Sequence, residues 1–179
     1  MGNTASSGKP KSVSGAVYIA PKGSTLPTDA STALDAAFKS VGYISDDGLT
    51  NAMGLSSEEK KAWGGLVVMS TITEVTDEFK FTMISPQNEE ALKLVFGDDN
   101  VTISSGKLTI KKNGKEPVEH AFVFEMIVCG KAKRIVVPQG KLKETGDVTY
   151  NDADEVGYEV TIAALADSND NTHYEYMTT

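Results

Sequence analysis

The chain has 179 residues, 40% of them hydrophobic, with a formal net charge of -8 and a sequence pI near 4.8. That length suits one domain with its own core, and the acidic balance argues against a nucleic-acid grip, which needs clustered Lys and Arg. A surface of this sign repels DNA, and DNA can pass it without sticking.

The single cysteine excludes an internal disulfide framework. Cys129 lies in the apolar run AFVFEMIVCG and reads as a buried, inert thiol. No stretch approaches the roughly 20 apolar residues of a membrane-spanning helix. The opening residues lack the apolar core of a signal peptide, so the chain is expected in a cytosol during synthesis. MGNTAS fits the N-myristoylation pattern through Gly2 and Ser6, although a plain mobile arm is the favoured reading.

In chain order, residues 1–15 hold almost no large apolar side chain and are expected to be a flexible arm. AVYIA is the first strand, ended by Pro21 and followed by a loop. Ala33, Leu34, Ala37, Phe38 and Val41 recur at helical spacing between Ser31 and Gly42, which predicts a short helix or helical turn. The next stretch, GYISDDGLTNAMGLSSEEKKAWGG, holds the only tryptophan and reads as irregular chain over 42–65. Within it Ser56 and Glu59 have capping-box spacing, followed by Lys60, Lys61 and Gly64, which predicts a short helical unit.

From Leu66 the text becomes β-rich. LVVMSTITEV and the alternating EFKFTMI predict two strands joined by a hairpin at Thr76 and Asp77. SPQNEEALKLVFG predicts a helix over 86–96, with Ser85 as cap, Pro86 at its first position, Glu89 and Glu90 early and Gly97 past its end. Leu92, Val95 and Phe96 form its buried stripe. Further on, turns are expected at Ser105 and Gly106 and at Asn113 and Gly114. EHAFVFEMIVCG is apolar on both faces and reads as a central strand, continued by AKRIVVPQGKLK. In EVGYEVTIAALA, Val156, Tyr158, Val160 and Ile162 share one face. The expected fold is mainly β: an antiparallel sandwich or barrel with one flanking helix and a long irregular inter-strand arm. The expected layout is an N-terminal arm over 1–15, one β domain over 16–166 and a polar C-terminal segment over 167–179.

Chemistry is harder to find. His120 and His173 have no obvious nucleophile or metal partner in their sequence neighbourhoods. Asp167, Asn169 and Asn171 start like a calcium loop, but Thr172 stands where glycine is needed and Thr178 where the bidentate glutamate belongs. Asp98, Asp99 and Asn100, and residues 152–155, are acidic turns. No GxGxxG, P-loop or GxSxG motif occurs. The paired acids Glu58 and Glu59, and Glu89 and Glu90, are accounted for by helix N-termini, and Asp46 with Asp47 marks no pocket. A binding or structural protein without cofactor, metal or catalysis is favoured over an enzyme.

The order APKGSTLPTDASTALDAAFKSVGYISDDGLT, then EEKKAWGG, then a hairpin leading into SPQNEEALKLVFG, resembles the major tail tube proteins of long, non-contractile-tailed bacteriophages. The likeness is most specific in GYISDDGL followed by AWGG, and in the helix ending LVFG. It implies a β-sandwich or barrel similar to type VI secretion tubes, assembled as hexameric rings stacked into a tube. The partners implied are further copies of the chain and tape-measure, tail-tip and tail-terminator proteins, with DNA passing through the lumen without specific binding and no membrane. The location implied is the virion tail, after assembly in the host cytoplasm. Tyr43, Asp46, Asp47, Leu49, Met53, Leu55 and Trp63 are then candidate interface residues. Glu74, Asp77, Glu78, Glu125 and Glu159 are candidates for an acidic lumen wall. The competing reading is a monomeric β-sandwich binding module, either a decoration or a receptor-binding domain, and a hydrolase comes third.

Overall fold

A computed structural model describes residues 5–153 and 155–178, so Gly2 of the acylation pattern and Asp154 of the acidic turn lie outside the described residues. The described chain forms eleven strands and one α-helix: β1 Gly8–Pro10, β2 Val17–Pro21, β3 Lys39–Ser40, β4 Ile44–Lys61, β5 Val67–Met83, α1 Glu89–Phe96, β6 Val101–Ser104, β7 Lys107–Ile110, β8 Glu119–Val128, β9 Lys131–Thr145, β10 Tyr158–Ala164 and β11 Tyr174–Met177. Nine strands make one sheet in the order β3-β2-β8-β9-β10-β5-β4, with β1 added to β8 and β11 to β9. Every pairing is antiparallel. The mainly β fold with a single helix is the expected one, and the sheet stays open instead of closing into a barrel.

The centre is β8 and β9, joined by a two-residue turn in which Cys129 and Gly130 both have positive φ, 53° and 73°. Such turns match the right-handed twist of the strands they join. Cys129 is therefore exposed at a turn, not buried as its apolar neighbours imply. Its strand ends one residue earlier, and the turn lifts it out of the pleat. Further along the pair, the register shifts between His120 and Phe122, opposite Pro138. Proline has no N–H for the ladder, and an irregularity accommodates it.

The sheet curls over a core of Val17, Ile19, Phe79, Phe81, Met83, Phe122, Phe124, Val137, Val160 and Ile162, and α1 seals it with Ala91, Leu92, Leu94 and Val95. Phe79 stacks on Phe124 at 5.0 Å between centroids. The opposite face carries Ala20, Ala121, Val123 and Val136 beneath Phe38, Leu26, Leu34, Tyr174 and Tyr176. β8 is buried on both sides, as its continuous apolar text predicts.

Several local expectations are overturned by long-range contacts. Of the short helix or helical turn expected before Gly42, only a single turn forms: Asp29 accepts from the backbone N–H of Ser31 and Thr32, and Phe38 N–H bonds Asp35 C=O. Leu34, Ala37 and Phe38 still pack inward, from a loop held over the sheet. The helix itself starts later than expected, because the Asn88 side chain accepts from Ala91 N–H while Ser85 Oγ accepts instead from Tyr43 N–H. Residues 42–65 are the largest correction. Most of this stretch is the 18-residue strand β4, and neither the irregular chain nor the helical unit at Ser56 forms. No hairpin occurs at Thr76 and Asp77 either, since β5 runs unbroken through them. Two segments near the ends of the described residues also join the sheet, Gly8–Pro10 on β8 and Tyr174–Met177 on β9.

Candidate functional site

β4 and β5 pair from Leu49 and Phe81 out to Lys61 and Val67, and every residue from 52 to 75 is exposed. Asp77, opposite Met53, is the last buried side chain, and the strand from there to Lys61, at about 3.3 Å per residue, carries this hairpin roughly 25 Å beyond it. At its tip, Ala62 N–H bonds Leu66 C=O at 2.8 Å, and Gly64 and Gly65 both take positive φ. Trp63 sits there with a relative exposure of 106%, so it anchors nothing in its own subunit.

The two faces of this arm differ. By register, the side continuous with core residue Phe79 carries Asp77 opposite Met53, Val75 opposite Leu55, and Ile72 opposite Ser57. The other side carries Glu74 opposite Ser56, Thr71 opposite Glu58 and Met69 opposite Lys60. Met53, Leu55, Val75 and Ile72 thus extend the core's apolar face into solvent, all largely exposed. Trp63, Leu66, Val67 and Val68 add further exposed apolar side chains at and near the tip, and exposed apolar surface of this kind marks an interaction site. Register shifts between Ser56 and Ser57 and between Lys60 and Lys61 twist the arm's edge, which discourages edge-to-edge pairing.

The other candidate interface residues lie at the arm's base. Tyr43, Asp46 and Asp47 are exposed, and Leu49 is half-buried against the core. The candidate lumen acids scatter. Glu74 is exposed on the arm; Glu78 and Glu159 lie on the same outward side of the β10 and β5 pair, bonded to Lys143 and Lys80 respectively. The Glu78 bond raises the Lys143 pKa. Asp77 and Glu125 are buried inside the subunit, and their charges are engaged there. Glu125 pairs with Arg134 and Lys11, while Arg134, 1% exposed, also donates to the carbonyls of Asp29 and Thr32. This pair was illegible in the sequence, because only the β8–β9 register sets Glu125 opposite Arg134.

Asp77 is the second buried acid. It accepts from Asn51 Nδ2 at 2.7 Å and Thr172 Oγ1 at 2.6 Å, and His173 Nδ1 lies 2.5 Å away. A carboxylate only accepts, so Nδ1 carries that proton. Burial pushes the Asp77 carboxyl up, but the bonds from Thr172, His173 and Asn51 outweigh it and hold it below its usual value. His173 thus has the partner its sequence neighbourhood did not reveal. His120 Nε2 lies 3.4 Å from Asp98 Oδ2, in a cleft of about 180 Å³ that also holds Asp99, Asn113 and Lys115. Among the described residues no Ser, Thr or Cys lines that cleft as a nucleophile. Among the described residues no group of three His, Cys, Asp or Glu is placed to hold a metal ion. The calcium-like turn is closed on itself: Asp167 accepts from Tyr174 OH and from the N–H groups of Asn169 and Asn171. The Tyr174 bond, ahead of an opposing effect of desolvation, lowers its pKa. Among the described residues no helix is long and apolar enough to cross a membrane.

Comparison with solved structures finds distant matches, two of them in an extracellular contractile injection system. The sheath/tube terminator of the PVC system in its extended state is 7% identical, covers 91% of this chain and 93% of its own, and has a TM-score of 0.41. The PVC sheath-tube complex is 7% identical over 90% of this chain and 88% of that one, with a TM-score of 0.44. The tube-terminating cap of the anti-feeding prophage is 5% identical over 91% and 89%, with a TM-score of 0.43. No curated protein matches the chain. The family model for phage tail tube proteins matches residues 9–179, nearly the whole length, and the chain belongs to that family.

Proposed function

We propose that the chain is the repeating subunit of a phage tail tube, assembling as hexameric rings that stack into a conduit for the genome. The observation that carries this reading is the exposed arm, whose apolar face continues the subunit core and is left uncovered in a single chain. Covering such a face with a second copy favours association at about 25 cal/mol per Å². Assembly takes place in the host cytoplasm with tape-measure, tail-tip and tail-terminator proteins, and the subunit has no catalytic task. Glu74, Glu78 and Glu159 remain candidates for a wall along which DNA slides, since like charge offers no deep well to hold it.

Negative-stain micrographs of purified protein test the assembly, with regular rings or tubes as the expected result. A particle that stays monomeric at high concentration, even with tail-initiation proteins present, overturns the reading in favour of a monomeric decoration or receptor-binding module. Trp63 emission is expected to shift on assembly, because its indole is fully exposed in the single chain.

A further inference from the structure

We infer that the turn and strand ending the chain, residues 167–177, brace the assembly arm at its root, so that arm orientation and C-terminal docking form one coupled unit. The inference rests on the arm being the contact surface only for its consequence in assembly; the coupling itself is a property of the single chain.

Asp77 is the last buried side chain of β5 before the exposed run, at 6% exposure, flanked on its own face by Phe79 toward the core and Val75 toward the tip. An apolar residue would continue that face at no cost, whereas a buried carboxylate must find donors. All three donors are placed across the arm's root. Asn51 comes from the facing strand and also donates to Glu78 C=O at 3.2 Å, tying β4 to β5 where the arm leaves the body. Thr172 and His173 come from the far end of the chain, and the His173 ring meets Phe79 edge-on at 5.5 Å.

Those two residues are themselves held. Asp167 organises the turn before them, receives the Tyr174 hydroxyl at 2.6 Å, and Tyr174 opens β11 on the central strand β9. A continuous path of hydrogen bonds therefore runs from β9 through β11 and the turn to the arm. A satisfied buried polar network of this kind fixes one geometry where apolar packing alone would tolerate several. With the brace in place the arm leaves the body in one direction; without it, the arm has only its two strand continuations to orient it.

Hydrogen exchange on dilute, monomeric protein tests this directly. His173→Phe keeps the ring against Phe79 and removes the donor; Asp77→Asn removes the charge in nearly the same volume. Each is expected to speed exchange about tenfold, the equivalent of one lost hydrogen bond of about 1.4 kcal/mol, at residues 50–53, 76–79 and 167–173, with β8 and β9 unchanged. The double variant is expected to add little to either single change. Unchanged exchange at the arm root, additive effects, or equal loss of protection in β8 and β9 each overturns the brace. In tube assays the His173→Phe subunit is expected to elongate more slowly. Exchange coupling present in a protein that never forms tubes would instead refute the tube reading and leave the brace standing.

Discussion

Replacing Leu55 by alanine separates assembly from folding, and replacing Leu92 provides the opposite control. Leu55 is 67% exposed on the arm's apolar face, whereas Leu92 is 0% exposed in α1. Leu55→Ala deletes three carbons worth about 0.8 kcal/mol each when buried. Scaled by the exposed fraction, each docked arm is weakened by about 1.5 kcal/mol, or about tenfold in association constant. Where several arms dock together, the losses compound. The same change leaves the single chain's stability within about 0.5 kcal/mol, as for most surface substitutions. Leu92→Ala empties a closed core and costs about 2–5 kcal/mol, a fall in Tm of about 5–15 °C at this size. Sedimentation velocity over a concentration series, paired with thermal melts of dilute protein, reads both quantities. Leu55→Ala assembling at wild-type concentrations, or melting as low as Leu92→Ala, would refute the reasoning.

Three further outcomes follow from the geometry. Glu125→Ala leaves the buried Arg134 guanidinium without its carboxylate and is expected to destabilise the chain by about 3–5 kcal/mol in denaturant titrations, whereas exposed Glu74→Ala is expected to be neutral. Gly140→Ala would set its Cβ 2.6 Å from the Phe122 ring and 2.9 Å from Ile162, and is expected to cost about 1–3 kcal/mol or more through overpacking. Because the folded Asp77 carboxyl titrates below its unfolded value, its bonds stabilise the fold above the usual Asp range and are lost as acid protonates it. Protection at the arm root, relative to the intrinsic amide exchange rate at each pH, is therefore expected to fall below about pH 4, and Asp77→Asn is expected to remove that pH dependence.

Much of the fold is written locally. The alternation in EFKFTMI and EVGYEVTIAALA, the doubly apolar EHAFVFEMIVCG and the acidic first turn before ALKLVF each formed the expected element, because each carries its periodicity within a few residues. The misreadings share one cause. Ser56, Glu59, Lys60 and Lys61 satisfy helix-end rules, and Asp46, Asp47 and Gly48 satisfy turn rules. Yet the partner strand that absorbs Leu49 to Lys61 begins only at Val67, and its branched residues decide the conformation through cross-strand pairing. Likewise Thr76 and Asp77 suit a hairpin, but the segments on both sides of them pair with the same strand β4.

The site divides in the same way. Met53, Leu55 and Trp63 become interface candidates through the family resemblance, and all three side chains are exposed on the arm. That Trp63 caps a long two-faced arm could not be read from the sequence, since a face exists only once the register is set. Composition and periodicity alone determined an acidic, mainly β protein with the helix at ALKLVF and no local catalytic signature, because those properties reside in neighbouring residues; the helical signal at Ser56 was overridden by the fold, and that before Gly42 was cut to a single turn. Only the tertiary structure decided that Glu125 and Asp77 are internal anchors, Glu125 by ion pairing and Asp77 by hydrogen bonds. Arg134 becomes a neighbour of Glu125 through the register of the β8–β9 hairpin, and His173 one of Asp77 across 96 residues of sequence, through the docking of the segment that leads into β11.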